Sequence, residues 1–562
     1  MDKDGVVFAT DSSPAPVVIE RGSAAQWKTI GLLAFTLLAL TVVVTRGIHT
    51  GEFDYNVDES QHAATGLYFA DLLKDIPFAH LVHYTYLYYA QYPALSGLIH
   101  WPPLFYVCEG LIFFVFGPSV MTARIAILVF AALAWLFWFR LVKEIQNRWA
   151  AALSTVVFAL LPSVLLFEKA VMLEIPSLAL SIAALYYWYD YITDEKASDL
   201  YRFAVFASLA LLTKQNALFL APFCAFTIVV LRKWKLVLNR HMAIAFGIVV
   251  VLTGPFYTLV YLVHWKTVAM DLLGNSSAGI HADQLLFYWR ALPQHLPWPL
   301  LLLSCLGMAT SRWWSTRQAT VFMLLWIVSV YLTFTFMSQK DPRYAFYWIP
   351  PFTYFAVGPL TAAWRISWMR LAGAICAMLI LGMTVYSGSR YRRPFLSGYA
   401  SVARDIVQRS RSGIILFDGD LPANFIFFLR SFDASRRFLV LRKSLYVTRI
   451  ELKYGSEELA HSKDEVRDVV SRDGVKYIVL SHASNLHFDV QRSLRDLLDT
   501  DPQFKLLKVF PIETNQTEWK DRQLRLYQNT DYHPPTEELL RIRMLTLSHD
   551  IVVPWSELKQ TW

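Results

Sequence analysis

The chain has 562 residues, 55% of them hydrophobic, with a mean hydropathy of +0.36 and a formal net charge of +8. A soluble globular chain is usually less apolar, so composition argues against a soluble enzyme and points to an α-helical, polytopic membrane protein. The excess of Lys and Arg does not indicate nucleic-acid binding: it is concentrated in short loops between apolar runs, which is how charge sets membrane orientation. The four cysteines, Cys108, Cys224, Cys305 and Cys376, lie in apolar runs without metal-ligand spacing and read as packing residues.

Met1–Lys28 is polar and too long before the first apolar run to be a cleaved signal, so a cytoplasmic N-terminal segment (1–28) ahead of a retained helix over Ile30–Thr45 is expected. Runs such as Ile244–Val263 and Leu371–Tyr386 are each about the length a bilayer core requires. With the N-terminus inside, the loops Arg140–Arg148, Tyr191–Arg202, Arg232–Arg240, Arg312–Arg317 and Arg365–Arg370 fall inside, and all but the second are plainly basic. Arg46–His100, Phe167–Ile175, the break at Thr213–Asn216, His264–Pro297 and Ser338–Arg343 fall outside, with most of the acidic residues. The run Pro102–Gly117 opens on a proline pair and would invert every later loop if it spanned, so it is expected to lie at the outer interface. The count is then about eleven transmembrane helices over residues 29–388.

From Arg390 the composition changes. Short β-rich runs (Gly413–Asp418, Arg437–Leu441, Val475–Ser481, Phe504–Pro511, Gln523–Tyr527) alternate with amphipathic stretches (Tyr399–Arg409, Ala423–Ser431, Glu465–Ser471, Val490–Leu498). The alternation predicts a C-terminal extracytoplasmic α/β domain over 389–562. Its LFDGDLPANF run holds Asp418 and Asp420, which read as turn chemistry at a strand end in preference to a metal or nucleotide site.

The outer loops carry the candidate chemistry. Asp58 and Glu59 are adjacent at the expected start of an amphipathic helix, and Asp58 and His62, four apart, share a face. Acidic residues are also ordinary at helix N-termini, where the dipole favours them. Glu168, Lys169 and Glu174 lie between two apolar runs, and an acidic residue at a membrane boundary is costly unless paired or functional. Lys214 sits in the break LLTKQNALFLAP, and Arg343 sits in DPRYAFYWIPP beside Asp341 and Tyr344. A lone Lys at a helix end is most often a snorkelling anchor, whereas Arg suits bidentate phosphate recognition.

Five motifs in order, VDESQHA, HWPPLFY with FGPSVMTARIA, MLEIPS, LLTKQNALFLAP and DPRYAFYWIPP, resemble those of the GT-C superfamily of membrane glycosyltransferases over residues 30–360. The resemblance is to the branch with the protein O-mannosyltransferases and the bacterial lipid A aminoarabinose transferase. It implies a GT-C-like fold and transfer of a sugar from a polyprenyl-phosphate donor to a lipid, glycan or protein acceptor on the outer face. It makes Asp58 the candidate general base, with Glu59 and Glu174 as acidic partners in catalysis. Arg343, Lys214 and Tyr344 become the donor phosphate-binding group, and His62 an acceptor-contacting or site-shaping residue. No cofactor is indicated with certainty. A divalent metal at the carboxylates stays open, without evident ligand spacing. The expected location is a bacterial inner membrane, with the C-terminal domain outside the cytoplasm.

A rival reading is a polytopic transporter or lipid flippase, and another a catalytically dead scaffold. Transporters usually show repeats and polar residues at mid-membrane depth. Here no repeat is visible, and the ionisable residues cluster at one rim.

Overall fold

The structure is a computed structural model that describes residues 23–53, 56–95, 101–237, 239–273, 282–337, 340–364, 367–448, 455–481, 486–545 and 549–558. Most of the N-terminal segment lies outside the described residues.

Helix α1 (Ser23–Val44) leads into three helices of the first long loop, α2 (Asn56–Asp75), α3 (Leu81–Gln91) and α4 (Leu104–Phe116). The bundle continues through α5 (Val120–Ile145), α6 (Arg148–Ala159), α7 (Pro162–Lys169), α8 (Glu174–Asp194), α9 (Ala197–Leu211) and α10 (Leu220–Val230). It closes with α11 (Arg240–Leu273), α12 (Ala282–His295), α13 (Trp298–Thr310), α14 (Arg317–Thr335), α15 (Ile349–Ala363) and α16 (Arg370–Arg390). Local signals set several of these boundaries. Ser119 and Thr122 form a capping box that starts α5, and Asn147 accepts two backbone N–H bonds to start α6. Lys340 donates to the carbonyls of Phe334, Thr335 and Met337 and so closes α14.

Among the described residues, five helices are long and apolar enough to cross a membrane: Gln26–Val44, Val120–Ile145, Arg240–Val263, Arg317–Thr335 and Arg370–Arg390. The pair α6–α7, bent by 70° where Pro162 opens α7, would make a sixth. Several of the other apolar runs expected to span are broken into short pieces. The 11 residues of α10 follow a tight turn over Gln215–Phe219, and the 15 of α15 follow another over Pro342–Trp348. Phe35, Val251 and Leu379 on α1, α11 and α16 are exposed, as lipid-facing side chains are. The multi-pass character therefore stands on helices whose apolar surface only a bilayer would cover.

At 13 residues, α4 is too short to span. It lies along α2 at close range. A Cβ on Gly110 would stand 2.7 Å from the Phe69 Cβ, and one on Gly66 would meet the Glu109 carboxyl at 2.1 Å. These two glycines let the helices touch and fix how α2 presents its first turn.

The C-terminal region has β1 (Leu396–Ser397), α17 (Tyr399–Arg409), β2 (Gly413–Asp418), α18 (Pro422–Phe432), β3 (Phe438–Leu441), β4 (Tyr446–Thr448) and β5 (Ser456–Glu458). It continues with α19 (Lys463–Arg472), β6 (Val475–Ser481), α20 (Asp489–Thr500), β7 (Phe504–Pro511), β8 (Glu513–Thr514), β9 (Gln523–Asn529), β10 (Leu539–Ile542) and β11 (Ile551–Pro554). The main sheet has the order β3-β2-β6-β9-β7, with β3, β2 and β6 parallel and β9 antiparallel to both neighbours. All five β-rich runs and all four amphipathic stretches expected from the sequence appear. Asp418 is held by Tyr446, Gln491 and Arg495, and Asp420 by Arg522, so both serve local structure.

This region shares its core with the first long loop. Phe53 and Phe113 pack on Phe427 of α18, and Ala90 of α3 belongs to the apolar cluster formed by β2, β3, β6 and α20. Asp71 of α2 is fully buried and accepts from Tyr88 (2.9 Å), Arg430 Nε (2.8 Å) and Arg436 Nη2 (3.1 Å). A buried carboxylate with this many donors has its desolvation cost offset, and it anchors α2 to the C-terminal region.

Candidate active site

Asp58 and Glu59 occupy the first turn of α2 and point to different partners. Asp58 is 31% exposed at its side chain, and its Oδ2 lies 3.2 Å from Arg343 Nη1. The same Nη1 is 3.9 Å from Glu174 Oε1, and Lys214 Nζ donates to that oxygen at 2.6 Å. Asp341 completes the group: its Oδ1 accepts from the Arg343 backbone N–H and its Oδ2 from Arg343 Nε, both at 2.8 Å. Three carboxylates and two cations from four distant stretches of chain thus meet around one guanidinium.

Each member is placed by a local feature. Asp341 caps the tight turn Pro342–Trp348, which fixes the Arg343 backbone. Lys214 stands in the break between α9 and α10, in extended conformation, with its Nζ 5.5 Å over the Trp101 ring. Glu174 opens α8 and is buried. The Lys214–Glu174 pair is enclosed, whereas Asp58 and Arg343 remain partly open.

His62 lies one turn beyond Asp58. Its Nδ1 is 2.7 Å from the Tyr106 hydroxyl, and its ring is 6.0 Å from Trp101. Burial pushes its pKa down to about 4, and the nearby Lys214 and Arg343 add to this against the pull of Asp58 and Glu174. The imidazole is therefore neutral near pH 7. With Trp101 and Tyr106 it forms a wall beside the charged group, as a site-shaping residue would.

A cavity of about 530 Å³ opens beside the cluster, lined by Asn56, Ser163, Phe167, His295, Arg343 and Tyr391 among others. Its volume falls within the range of small-molecule sites. His295 Nε2 donates to the Pro342 carbonyl at 2.9 Å, which ties α12 to the Arg343 turn.

Two expected site residues sit elsewhere. Glu59 is fully buried, and its carboxylate is taken by Arg393 Nη2 (2.7 and 2.8 Å) and the Val171 N–H (3.1 Å), away from Arg343 and Lys214. Tyr344 packs its ring 4.9 Å from Phe334 and 6.4 Å from Tyr288, in an aromatic group behind Arg343. Of the other second-loop charges, Glu168 accepts from Trp135 Nε1 at 2.7 Å and Lys169 donates to the Arg46 carbonyl at 3.0 Å. Among the described residues no three His, Cys, Asp or Glu side chains converge as metal ligands. The site carboxylates are engaged by Arg343 and Lys214, a donor set that does not fit a divalent ion.

Asp341, Trp101, Tyr106 and Arg393 were not singled out as site residues from sequence. Asp341 carried a signal, as an Asp before Pro-Arg at a turn. Arg393 stands in the basic run RYRRPF at the end of α16, where nothing local separates it from its neighbours Arg390 and Arg392.

Residues 100–258 match the dolichyl-phosphate-mannose-protein mannosyltransferase family. An uncharacterized protein from Aquifex aeolicus (strain VF5) is 26% identical over 249 residues, 43% of this chain and 49% of that protein, so the match spans about half the relative's length. Among solved structures, ArnT from Cupriavidus metallidurans bound to undecaprenyl phosphate superposes with a TM-score of 0.58 at 14% identity, covering 88% of this chain and 98% of that one. The archaeal oligosaccharyltransferase AglB from Archaeoglobus fulgidus, in complex with an inhibitory peptide and a dolichol-phosphate, superposes with a TM-score of 0.52 at 11% identity, covering 82% and 70%. At these identities the likeness is one of fold, and it extends over the bundle and the C-terminal region together. The chain therefore has the GT-C fold of the membrane glycosyltransferases, the fold that its outer-loop motifs led one to expect.

Proposed function

We propose that the chain transfers a sugar from a polyprenyl-phosphate carrier to an acceptor hydroxyl, with inversion, at the cavity beside Asp58 on the outer face of a bacterial inner membrane. The observation that carries this reading is the Asp58–Arg343–Glu174–Lys214 cluster. In it a partly open carboxylate stands within one guanidinium of an enclosed, charge-balanced pair. The polyprenyl phosphates bound to the two similar structures support the donor class.

In this mechanism the acceptor oxygen attacks the anomeric carbon while the bond from that carbon to the phosphate oxygen breaks. The bonding pair leaves on the phosphate, and the hydroxyl proton passes to Asp58. General-base catalysis is typically worth ~10²–10⁴-fold. Arg343 stabilises the phosphate as it departs, a contribution of similar size when the donor is preorganised. The leaving phosphate needs no acid because it is already a stable anion.

With His62 neutral, Asp58, Glu174 and Asp341 outnumber Lys214 and Arg343 by one negative charge. A donor phosphate reaching Arg343 competes with Asp58 for it. Donor binding thereby releases the carboxylate to act as base, which orders the reaction with donor first.

The test is to incubate the purified full chain in lipid nanodiscs with labelled polyprenyl-phosphate sugars and candidate acceptors, and to identify products by mass spectrometry. Transfer that is lost in Asp58→Asn supports the reading. Bound donor with no sugar released from any carrier, to any acceptor or to water, overturns it.

A further inference from the structure

Glu59 and Arg393 form an ion pair that the transfer mechanism does not use. Arg393 lies just past the end of α16, at the start of the C-terminal region, and is buried. Its Nη2 grips both oxygens of Glu59 at 2.7 and 2.8 Å, and its Nη1 donates to the Lys169 carbonyl. Glu59 Oε1 also accepts from the Val171 N–H at 3.1 Å, in the same link between α7 and α8. On its other side, the Arg393 carbonyl accepts from Asn515 Nδ2 at 3.0 Å, and Asn515 Oδ1 accepts from the Phe395 N–H at 2.9 Å. Arg393 thus joins three elements: its guanidinium holds the first turn of α2 and the link that leads into Glu174, and its backbone carbonyl holds the β1–β8 edge of the C-terminal region.

The two site carboxylates ride on the first two of these elements. Asp58 is the residue before Glu59, and Glu174 follows Val171 by three residues. A second clamp, built from backbone donors and not from an ion pair, holds the approach to α2. Glu52 accepts from the N–H groups of Gly398, Tyr399 and Ala400 (3.0, 3.1 and 3.0 Å), and Arg124 Nη2 donates to its carbonyl at 2.7 Å. Buried, multiply bonded ion pairs fix geometry more reliably than they add stability.

We propose that Arg393 is a positioning residue for the transfer step, acting through Glu59 to set Asp58 against Glu174. This rests on the reading of Asp58 as the base. Arg393 acts through the Glu59 carboxylate and the Lys169 carbonyl, so it should affect the rate at saturating donor and leave donor affinity alone.

The experiment compares Arg393→Ala, Arg393→Lys, Glu59→Gln and the Glu59→Gln/Arg393→Gln pair in the full chain in nanodiscs. Its readouts are kcat, undecaprenyl-phosphate Kd, melting temperature and hydrogen exchange over residues 56–62. Arg393→Ala should lower kcat at least tenfold with donor Kd within threefold. Arg393→Lys, which keeps the charge but cannot serve both the carboxylate and the Lys169 carbonyl, should recover part of that loss. The double variant should be no worse than Arg393→Ala, because residues that act as a unit are not additive. A kcat within twofold of wild type, additive losses, or a fall in donor affinity that matches the fall in kcat would each overturn the proposal. If Arg393→Ala does not fold, Arg393→Lys decides: kcat lowered several-fold at unchanged Kd supports it, and unchanged kcat sinks it. If Asp58→Asn keeps full turnover, the base reading fails on its own. Faster exchange over 56–62 in the Arg393 variants would then still support positioning, and unchanged exchange would refute it.

Discussion

Asp58 Oδ2 and Arg343 Nη1 lie 3.2 Å apart, so the carboxylate proposed to take a proton is paired with the guanidinium proposed to hold phosphate. Asp58→Asn should therefore do two opposite things. It should lower transfer at least ~100-fold, the minimum expected of a general base, because Asn cannot accept the proton. It should also tighten undecaprenyl-phosphate binding several-fold, because a competing anion is gone. Titrating nanodisc-embedded protein with the lipid phosphate measures the second effect. Weaker binding in the variant would rule out the exchange of partners at Arg343.

Arg343→Ala should act on both steps, weakening donor binding at least tenfold and slowing turnover further, since phosphate contacts persist into the transition state. Arg343→Lys should restore little, because Lys cannot keep the two-atom grip on Asp341 seen at Nε and Nη2. A Kd for the lipid phosphate within threefold of wild type in Arg343→Ala would remove it from the phosphate site.

The enclosed pair behaves differently. Lys214→Met leaves Glu174 buried beside a lost partner, a situation that typically costs about 3–5 kcal/mol. Lys214→Met combined with Glu174→Gln should melt at a higher temperature than Lys214→Met alone. Thermal unfolding in detergent reads this directly, and a double variant that is less stable than the single one would contradict the pairing.

Two buried groups of the first long loop give opposing pH dependences. Burial lowers His62 from 6.5 to about 4, so the unfolded chain binds more protons there. Its contribution is present above pH 6.5 and is lost as pH falls towards 4. Burial raises Glu52 from 4.5 to about 7 against three backbone donors, so its contribution is present below pH 4.5 and is lost as pH rises through 7. Each is worth roughly 3 kcal/mol at its limit, and in the wild type they largely cancel between pH 5 and 6.5. His62→Gln should leave a protein whose melting temperature falls as pH rises across that window. Glu52→Gln should leave one whose melting temperature rises. Matching slopes in the two variants would disprove the assignment.

Breaking the buried network at Asp71 should uncouple the two halves. Arg430→Met leaves Asp71 with Arg436 and Tyr88 only, and should lower the melting temperature by several degrees. It should also speed proteolysis between Arg390 and Tyr399. An unchanged digestion pattern would mean that the apolar contact at Phe427 suffices on its own.

Much of this arrangement was legible in the sequence where one residue's type and its immediate neighbours decide the outcome. The β-rich and amphipathic runs after Arg390 fold as written, because period-2 and period-3.6 patterns are local signals. Asp58, Glu174, Lys214 and Arg343 were found individually, and the structure brings them together. The direction in which Glu59 points was not legible. Adjacent residues on a helix diverge by about 100°: Asp58 faces Arg343, and Glu59 turns to Arg393, more than three hundred residues away. Tyr344 likewise follows the helical turn into an aromatic group. Apolar length in the sequence marks the break at Thr213–Asn216 but not the bend after Leu160, where α6 and α7 meet at 70°.

Helix α3 is lent by the first loop to the core of the C-terminal region, where Gln91 Nε2 donates to the carbonyls of Arg436 and Phe438 across 345 and 347 residues of chain. Synthesis proceeds at about 5–20 residues per second, so α3 is made roughly 20–70 s before the strands that cover it exist. During that interval its five tyrosines, Tyr84, Tyr86, Tyr88, Tyr89 and the adjoining Tyr92, have no native partner from the far end of the chain. Aromatic hydroxyls suit the lipid headgroup layer, so a tyrosine-rich helix can rest there while it waits. Neither half of this protein can complete its fold before the last strand has been made.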